Sequence, residues 1–361
     1  MRLFQNSGVV RSYVPRLSVL TRNSHTFQEH TKTFLADRYG ATHFLKPVLD
    51  GAADAFFTNG DVENCQRAWA RENGLKATTP LEDVLLAQIE AHRTDVFYNM
   101  DPVRYGSGFV RRLPQSVKRK IAWRAAPSGN ADYSAYDLIV SNFPSILESY
   151  KAKGWRSDYF FPGHDPEMEP FAANTERPID VLFVGGYSRH HRNRAVVLEA
   201  VALLRDKHRI VYHLDKSSLT TLGETPLGWV GPLKKHRRPR DIRSVSAPPI
   251  FGRDLYTAFS NTKIVLNGAI DMAGTDRGNM RCWEAMGCGA LLVSDEGVYP
   301  AGMERDQTIM TYSSAEQAAG VVERALTGDS ARRQAIARTG HDMIRTRYSK
   351  EKQWARFLEL V

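Results

Sequence analysis

The segment from Asp276 to Asp295 reads DRGNMRCWEAMGCGALLVSD and holds the pattern that decides the fold. A Gly-Asn turn at 278–279 predicts the start of a short helix, which ends at Gly287 or Gly289 because glycine commonly stops helices. The run Ala290–Ser294 follows directly and predicts a buried strand. A helix that leads into a buried strand is the repeating element of a parallel α/β sheet.

The same alternation of short apolar runs and longer amphipathic runs extends in both directions from this segment. In the first half it predicts strands at Thr42–Lys46, Ala53–Thr58, Asp95–Asn99, Lys120–Arg124 and Asp137–Val140, and helices at Asp61–Glu72, Leu81–His92 and Ser145–Lys153. In the second half it predicts strands at Ile179–Val184, Ile210–Leu214, Lys263–Asn267 and Thr308–Tyr312, and helices at Arg194–Arg205 and Asp254–Ser260. Residues 215–252 are expected to form an irregular, elaborated loop.

Turn-forming residues between Phe161 and Pro178 interrupt this alternation, and the chain of 361 residues is about twice the usual domain size. We therefore predict an N-terminal Rossmann-like domain at residues 1–165 and a C-terminal Rossmann-like domain at residues 166–345. The basic stretch from Ala331 to Leu360 predicts two amphipathic helices, and residues 346–361 contain the last of them. Contact with a membrane is an alternative role for these helices. Ligands of such sheets lie at the carboxyl ends of the strands, so a cleft between the domains is the expected site.

The net charge of +9 indicates an anionic partner: nucleotide phosphates, an anionic membrane face or nucleic acid. No run of apolar residues is long enough to predict a membrane span, and the N-terminus lacks the apolar core of a secretory signal. The three cysteines have no metal-like spacing and indicate a reducing compartment. We expect a cytoplasmic protein, which could also bind peripherally to the inner face of the membrane. We expect no metal site.

A buried strand ends in Gly185 and Gly186, and a helix is predicted to begin within ten residues. Glycines let a backbone approach a ligand closely, and the helix N-terminus presents free N–H groups to an anion. Arg189, Arg192 and Arg194 add positive charge at the same place. The segment predicts a phosphate site, with a tight turn carrying solvated arginines as the alternative interpretation.

Arg281 and Glu284 are three residues apart and therefore share one face of the predicted helix, while Met280 and Trp283 lie on a neighbouring face. The carboxylate could accept from both hydroxyls of a ribose, and the guanidinium could bind phosphate through two hydrogen bonds. An internal Arg–Glu pair that holds the helix in place is the alternative.

The segment from Asp276 to Gly289 resembles the donor-binding signature of retaining GT-B glycosyltransferases. In that signature an acidic residue, seven intervening residues and a glutamate precede Ala-Met-x-x-Gly. The chain is more closely similar to the CgeB-like group (glycosyl transferases group one, second type), a likeness that includes the runs at 132–142, 161–166 and 180–186. Two positions depart from the pattern, since the first acidic residue is Asp rather than Glu and Ala290 replaces the usual proline.

The resemblance implies a GT-B fold, with an acceptor domain, a nucleotide-sugar domain and C-terminal helices that brace the two. The last of these helices, residues 346–361, would pack back on the N-terminal domain. It implies that Glu284 holds the ribose and Asp276 the transferred sugar. Backbone N–H groups at Gly278 and Asn279, with Arg281, would meet the diphosphate or the sugar, and Met280 would lie in the same donor site. The donor is expected to be a UDP-sugar or a GDP-sugar, with no further cofactor.

The function favoured is glycosyl transfer from a nucleotide sugar to an unknown acceptor, with retention of configuration implied by the resemblance and no metal required. A sugar-nucleotide epimerase of the same fold is one alternative. A nucleic-acid-binding protein that uses the basic run at 234–243 is another, and we disfavour it because this run has no interleaved aromatic residues to stack on bases.

In the acceptor half, any of several side chains could orient an acceptor hydroxyl: His25, His30, His43, His92 and Asp101. The basic run at 234–243 is interpreted as meeting an anionic acceptor or the membrane surface that carries it. A solvated loop with no partner is the alternative for this run.

Overall fold

The computed structural model describes residues 1–187, 192–229, 231–268 and 274–361, without the side chains of residues 192 and 227. The chain divides into two compact units. The first contains Met1–Gly163 and Tyr348–Val361, and the second contains His164–Arg347. The domain boundaries expected from the sequence fall after residues 165 and 345, and the units divide after residues 163 and 347, a difference of two residues at each boundary. The acceptor and donor roles given to the two domains stay predictions.

The first unit is built on a six-stranded parallel sheet with the strand order β2-β1-β3-β4-β5-β6. Its strands are β1 Leu3–Asn6, β2 Ala55–Thr58, β3 Val96–Asn99, β4 Arg119–Trp123, β5 Leu138–Ser141 and β6 Ser157–Tyr159. Strands β1, β3 and β5 are buried at every position. This is expected of parallel strands that are covered on both faces.

Helices cover this sheet, including the last helix of the chain. They are α1 Val14–Leu20, α2 Phe27–Asp37, α3 Lys46–Leu49, α4 Glu63–Glu72, α5 Leu81–Ala91, α6 Ser107–Val110, α7 Pro144–Lys151 and α16 Lys350–Leu360. The strand predicted at Thr42–Lys46 is wrong, because a 3-10 helix at Ala41–His43 and then α3 occupy this stretch. Pro47 lies in the first turn of α3, where its fixed φ favours a helix start.

The second unit is also built on a six-stranded parallel sheet, with the strand order β12-β11-β10-β7-β8-β9. Its strands are β7 Ile179–Gly186, β8 Ile210–Asp215, β9 Ser246–Ala247, β10 Thr262–Leu266, β11 Leu291–Asp295 and β12 Met310–Tyr312. β7 and β10 are adjacent in the middle of the sheet. The core on one face includes Val181, Ile264 and Leu291.

The helices of the second unit are α8 Glu169–Ala172, α9 Arg192–Ala202, α10 Ser218–Gly223, α11 Arg240–Ser244, α12 Gly252–Ser260, α13 Met280–Gly287, α14 Ala315–Thr327 and α15 Ser330–Arg347. Residues 215–252 are more ordered than the predicted loop. They contain α10, α11, β9 and the 3-10 helices Pro226–Trp229 and Gly231–His236. Among the described helices, none has both the length and the apolar character needed to cross a membrane.

Candidate functional site

A cavity of about 520 Å³ lies at the carboxyl edge of the sheet in the second unit. The strands β7, β10, β11 and β12 are neighbours in this sheet, so the loops that follow them meet at one edge. The cavity is lined by Asn193, Arg194, Val196, Val197, Gly268, Arg277, Asp295, Glu296, Tyr312, Ser313, Ser314, Ala315 and Glu316. This is the edge at which ligands of parallel α/β sheets bind.

Two arginines supply the positive charge of this cavity. Arg194, in the first turn of α9, donates through Nη2 to the carbonyl oxygen of Gly268 at 2.7 Å. Arg277 lies before α13, and its Nε is 2.7 Å from Oδ2 of Asp295 at the end of β11. These contacts fix both guanidinium groups at the cavity, so little conformational entropy would be lost when they bind an anion.

Carboxylate and hydroxyl groups of the cavity come from residues at the end of β11, after β12 and at the start of α14. Glu296 follows β11 and is paired with Arg305 at 2.8 Å. Hydrogen bonds from its own backbone N–H and from Ser314 lower the pKa of Glu316, which keeps this carboxylate ionised. Carboxylates and hydroxyls can accept from the hydroxyl groups of a sugar. The lining therefore suits a ligand that carries both anionic groups and hydroxyls.

The predicted phosphate turn follows β7 at the same edge. A Cβ placed on Gly186 would meet no atom of the described residues within 4 Å. Arg192 begins α9, and its side chain lies outside the described residues, as does all of Arg189. Of the three arginines in this part of the sequence, the structure places Arg194 in the cavity.

The N-terminus of α13 is attached to the central strands through two asparagines. Asn279 caps the helix, because its side chain accepts from the backbone N–H of Arg281 at 3.1 Å. Its Nδ2 donates to Oδ1 of Asn267 at 3.0 Å, and Asn267 donates to Ser294 at 3.1 Å. The preceding Gly278 has a φ of +103°, and a Cβ there would lie 2.7 Å from Pro300. Glycine at 278 is thus required by packing and backbone conformation.

Arg281 and Glu284 share one helical face, as their spacing predicts, and form an ion pair in which Arg281 Nη1 lies against Glu284 Oε2. An internal pair of this kind is the alternative interpretation given for these residues. The Glu284 side chain is 3% exposed and that of Arg281 is 22% exposed. Burial raises the pKa of Glu284, and the nearby guanidinium of Arg281 partly offsets the shift. Trp283 is fully buried beside them, whereas Met280 is half-buried. Among the described residues, the pair is not part of the lining of the cavity, and the ribose role of Glu284 stays a prediction.

Asp276 is buried and forms an isolated parallel β-bridge with Val298. The backbone N–H of the next residue, Arg277, donates to the carbonyl oxygen of Val298 at 2.8 Å. Its predicted contact with the transferred sugar remains a prediction. Sequence reasoning missed Arg277 and Asp295 as lining residues. The signal was present for Asp295, because it is the first charged residue after the predicted strand Ala290–Ser294.

The carboxyl edge of the sheet in the first unit brings together two carboxylates, Asp61 after β2 and Asp101 after β3. The N–H of Val9, which follows β1, donates to Asp61 Oδ2 at 3.0 Å, and a Cβ on Gly8 would lie 2.8 Å from Asp101 Oδ2. Burial raises the pKa of Asp61, and the charge of Asp101 adds to the shift. Sequence reasoning named Asp101 and missed Asp61.

The histidines of the first unit are placed less favourably for binding an acceptor. His92 contacts the carbonyl of Leu3 at 3.1 Å, at the amino end of β1 and so at the opposite edge of the sheet. His43 packs against Trp123 with ring centroids 4.2 Å apart, and burial followed by the charge of Lys350 lowers its pKa to about 3. A histidine held neutral in the core is a structural residue.

The basic run at 234–243 is divided between exposed and internally bonded residues. Arg238 is 4% exposed and forms a two-point contact with Glu224, with Nη2 3.0 Å from Oε2. Arg237 donates to the carbonyls of Gly223 and Thr225, both at 2.9 Å. The run is therefore not a uniformly solvated loop, and its arginines at 237 and 238 hold the local fold together.

Residues 196–359 match the family model described as glycosyl transferase-like. No curated protein matches the chain in sequence. The match covers the part of the second unit that contains α13 and β11, together with α16.

Solved glycosyltransferase structures match the fold over the full length. HepE of Anabaena, solved with UDP and glucose, has a TM-score of 0.57 at 11% identity, and the alignment covers 100% of this chain and 99% of HepE. A glycosyltransferase of Rickettsia africae has a TM-score of 0.54 at 12% identity, with 99% and 97% covered. Sucrose-phosphate synthase of Thermosynechococcus elongatus has a TM-score of 0.53 at 10% identity, with 99% and 97% covered. The two parallel sheets and these likenesses show the GT-B fold, and residues 196–359 are similar to the glycosyl transferase-like family.

Proposed function

We propose that the chain transfers a sugar from a nucleoside-diphosphate sugar to an acceptor held by the first unit, with retention at the anomeric carbon and without a metal ion. The observation that carries the proposal is the cavity at the carboxyl ends of β7, β10, β11 and β12, with Arg194 and Arg277 on its wall. HepE, of the same fold, was solved with UDP and with UDP-glucose, which favours a UDP-sugar over a GDP-sugar.

The cationic side chains would act on the leaving group. As the bond between the anomeric carbon and the diphosphate breaks, negative charge accumulates on the departing diphosphate. Arg194, Arg277 and the N–H groups at the start of α9 would offset this charge from fixed positions. Since these groups are already held by protein contacts, they need little rearrangement during the reaction.

On the acceptor side, Asp101 and Asp61 are the groups best placed to orient a hydroxyl. Both follow strands at the carboxyl edge of the first sheet, where ligands of this architecture bind. Burial raises the pKa of Asp61, which makes its carboxylate a stronger proton acceptor than an exposed aspartate.

Replacing Arg194 by Gln is expected to lower the affinity for UDP about tenfold to a hundredfold, because a hydrogen bond to a charged group contributes about 1.5–3 kcal/mol. The measurement is isothermal titration with UDP and, in parallel, the shift in melting temperature that UDP produces. Arg205→Gln is the matched control, since Arg205 follows α9 and is paired with Asp241 at 2.7 Å outside the cavity. Equal affinity for UDP in both variants would contradict the assignment of the diphosphate to this cavity.

Activity with a UDP-sugar is expected to persist in excess EDTA. Within the described residues, no three His, Cys, Asp or Glu side chains are grouped so that they could hold a metal ion. The assay follows release of UDP and formation of the glycosylated product, and the configuration of the product reports retention. Complete loss of activity that Mn²⁺ alone restores would contradict the metal-independent mechanism. An isomerised donor without free UDP would instead indicate an epimerase.

A further inference from the structure

The helical pieces inserted between β8 and α11 pack closely on one another. A Cβ on Gly228 would lie 1.7 Å from the carbonyl oxygen of Gly223, and a Cβ on Gly223 would lie about 3.0 Å from the backbone of His236. Helix α10 and the 3-10 helices Pro226–Trp229 and Gly231–His236 are therefore in direct contact. We call these three elements the insertion module.

The insertion module exposes large apolar side chains to solvent. Leu219 is 48% exposed, Leu222 is 46% exposed and Trp229 is 67% exposed. The two leucines are three residues apart on α10 and so point from the same side of the helix. The Arg237 guanidinium lies 4.7 Å from the centroid of the Trp229 ring and donates to the carbonyl of Gly223, which holds the ring beside the end of α10.

Basic residues are frequent in the part of the sequence that carries these apolar side chains. Between residues 215 and 243 the sequence has seven basic residues and three acidic ones. Arg238 is buried against Glu224, and Lys216 also contacts Glu224 at 3.0 Å. Lys234 and Lys235 are exposed in the last turn of the 3-10 helix Gly231–His236, and Lys235 is two residues before Arg237, which holds Trp229.

We propose that the insertion module docks the chain on an anionic lipid bilayer, with Leu219, Leu222 and Trp229 in the interfacial layer and Lys234 and Lys235 against the headgroups. Tryptophan is enriched at this depth of a bilayer, and apolar side chains beside lysines are typical of surfaces that bind membranes peripherally. Charge alone would also suit a nucleic acid, but exposed leucines gain nothing from a phosphate backbone. The proposal does not rest on the transferase activity.

The test is sedimentation of the full-length chain with vesicles of phosphatidylcholine containing phosphatidylglycerol, compared with pure phosphatidylcholine. We expect binding to the anionic vesicles, weakened about tenfold or more by L219S/L222S. K234S/K235S should weaken binding at low salt and reduce its dependence on salt. The matched controls are Leu203→Ser, an exposed leucine outside the module, and K76S/K352S, two lysines exposed elsewhere. Both controls should bind as the unchanged chain does.

Fluorescence provides a second measurement that does not depend on the leucine variants. The chain has six tryptophans, so the emission of Trp229 is obtained as the difference between the unchanged chain and Trp229→Phe. We expect this difference spectrum to shift to the blue and to be quenched by brominated lipids. Vesicle binding that L219S/L222S leaves unchanged overturns the proposal, as does the absence of a spectral shift. The chain could also bind DNA and vesicles with equal affinity and lose this affinity only in K234S/K235S. That result would identify a general polyanion site and would also overturn the proposal.

Discussion

Replacing Glu284 by Gln is expected to lower the affinity of the chain for UDP by about tenfold, equivalent to about 1.4 kcal/mol. Gln keeps the size of the side chain but accepts more weakly from the two ribose hydroxyls that the resemblance assigns to this position. The substitution also neutralises the buried partner of Arg281, so a loss of stability is expected together with the loss of affinity. Isothermal titration with UDP and the urea midpoint of the same variant measure the two effects separately.

The ion-pair partner of Glu284 supplies a comparison for the loss of stability. Arg281→Gln breaks the same ion pair by changing its more exposed member, since the Arg281 side chain is 22% exposed and that of Glu284 is 3% exposed. If the pair only fixes α13, both variants lose similar stability and bind UDP as the unchanged chain does, which would contradict the ribose assignment. A ribose contact instead predicts that the Glu284 variant loses binding even under conditions where it is fully folded.

The pH dependence gives a further check on Glu284. Because burial raises its pKa, the carboxylate begins to take up a proton above the usual range for glutamate as the pH falls. The ionised form is the one that accepts from both hydroxyls, so UDP affinity should decrease on acidification. The difference between the unchanged chain and Glu284→Gln should shrink over the same pH interval, since Gln does not titrate.

The second large effect is expected at Lys350, at the start of α16. Its ammonium group is buried and donates to the carbonyl oxygens of Ala41 at 2.7 Å, Thr42 at 3.0 Å and Phe44 at 2.7 Å. Lys350→Met is expected to lower the free energy of unfolding by about 3 kcal/mol, because carbonyl groups of this turn lose a charged donor in a buried place. Urea denaturation followed by circular dichroism measures the change.

Lys352→Met is the matched control, since Lys352 lies in the same helix and is exposed. Its midpoint should stay close to that of the unchanged chain. A second readout is the pKa of His43, which burial and then the charge of Lys350 hold near 3. This pKa should rise in Lys350→Met, and identical stability of the two lysine variants would show that the carbonyl contacts contribute nothing net.

The sequence by itself determined the α/β alternation and the segment around α13. Asn279, the turn at Gly278, the helix and β11 are local features, because a cap, a helical face and a buried run depend on residues close together in the chain. The spacing of Arg281 and Glu284 likewise predicted that they share one face of this helix. Strand β1 was missed for the opposite reason. It has four residues, two of them Gln5 and Asn6, and it is a strand because β2 and β3 pair with both of its edges.

Only the tertiary structure decided which side chains share the candidate donor cavity. Arg194, Gly268, Arg277 and Asp295 come from four separate places in the sequence and meet because β7, β10 and β11 are neighbours in the sheet. Strand order depends on long-range packing, which no local periodicity records. The burial of Lys350 has the same origin, since its acceptors lie more than three hundred residues away in the sequence. The fold brings such groups together, and their desolvation then determines their chemistry.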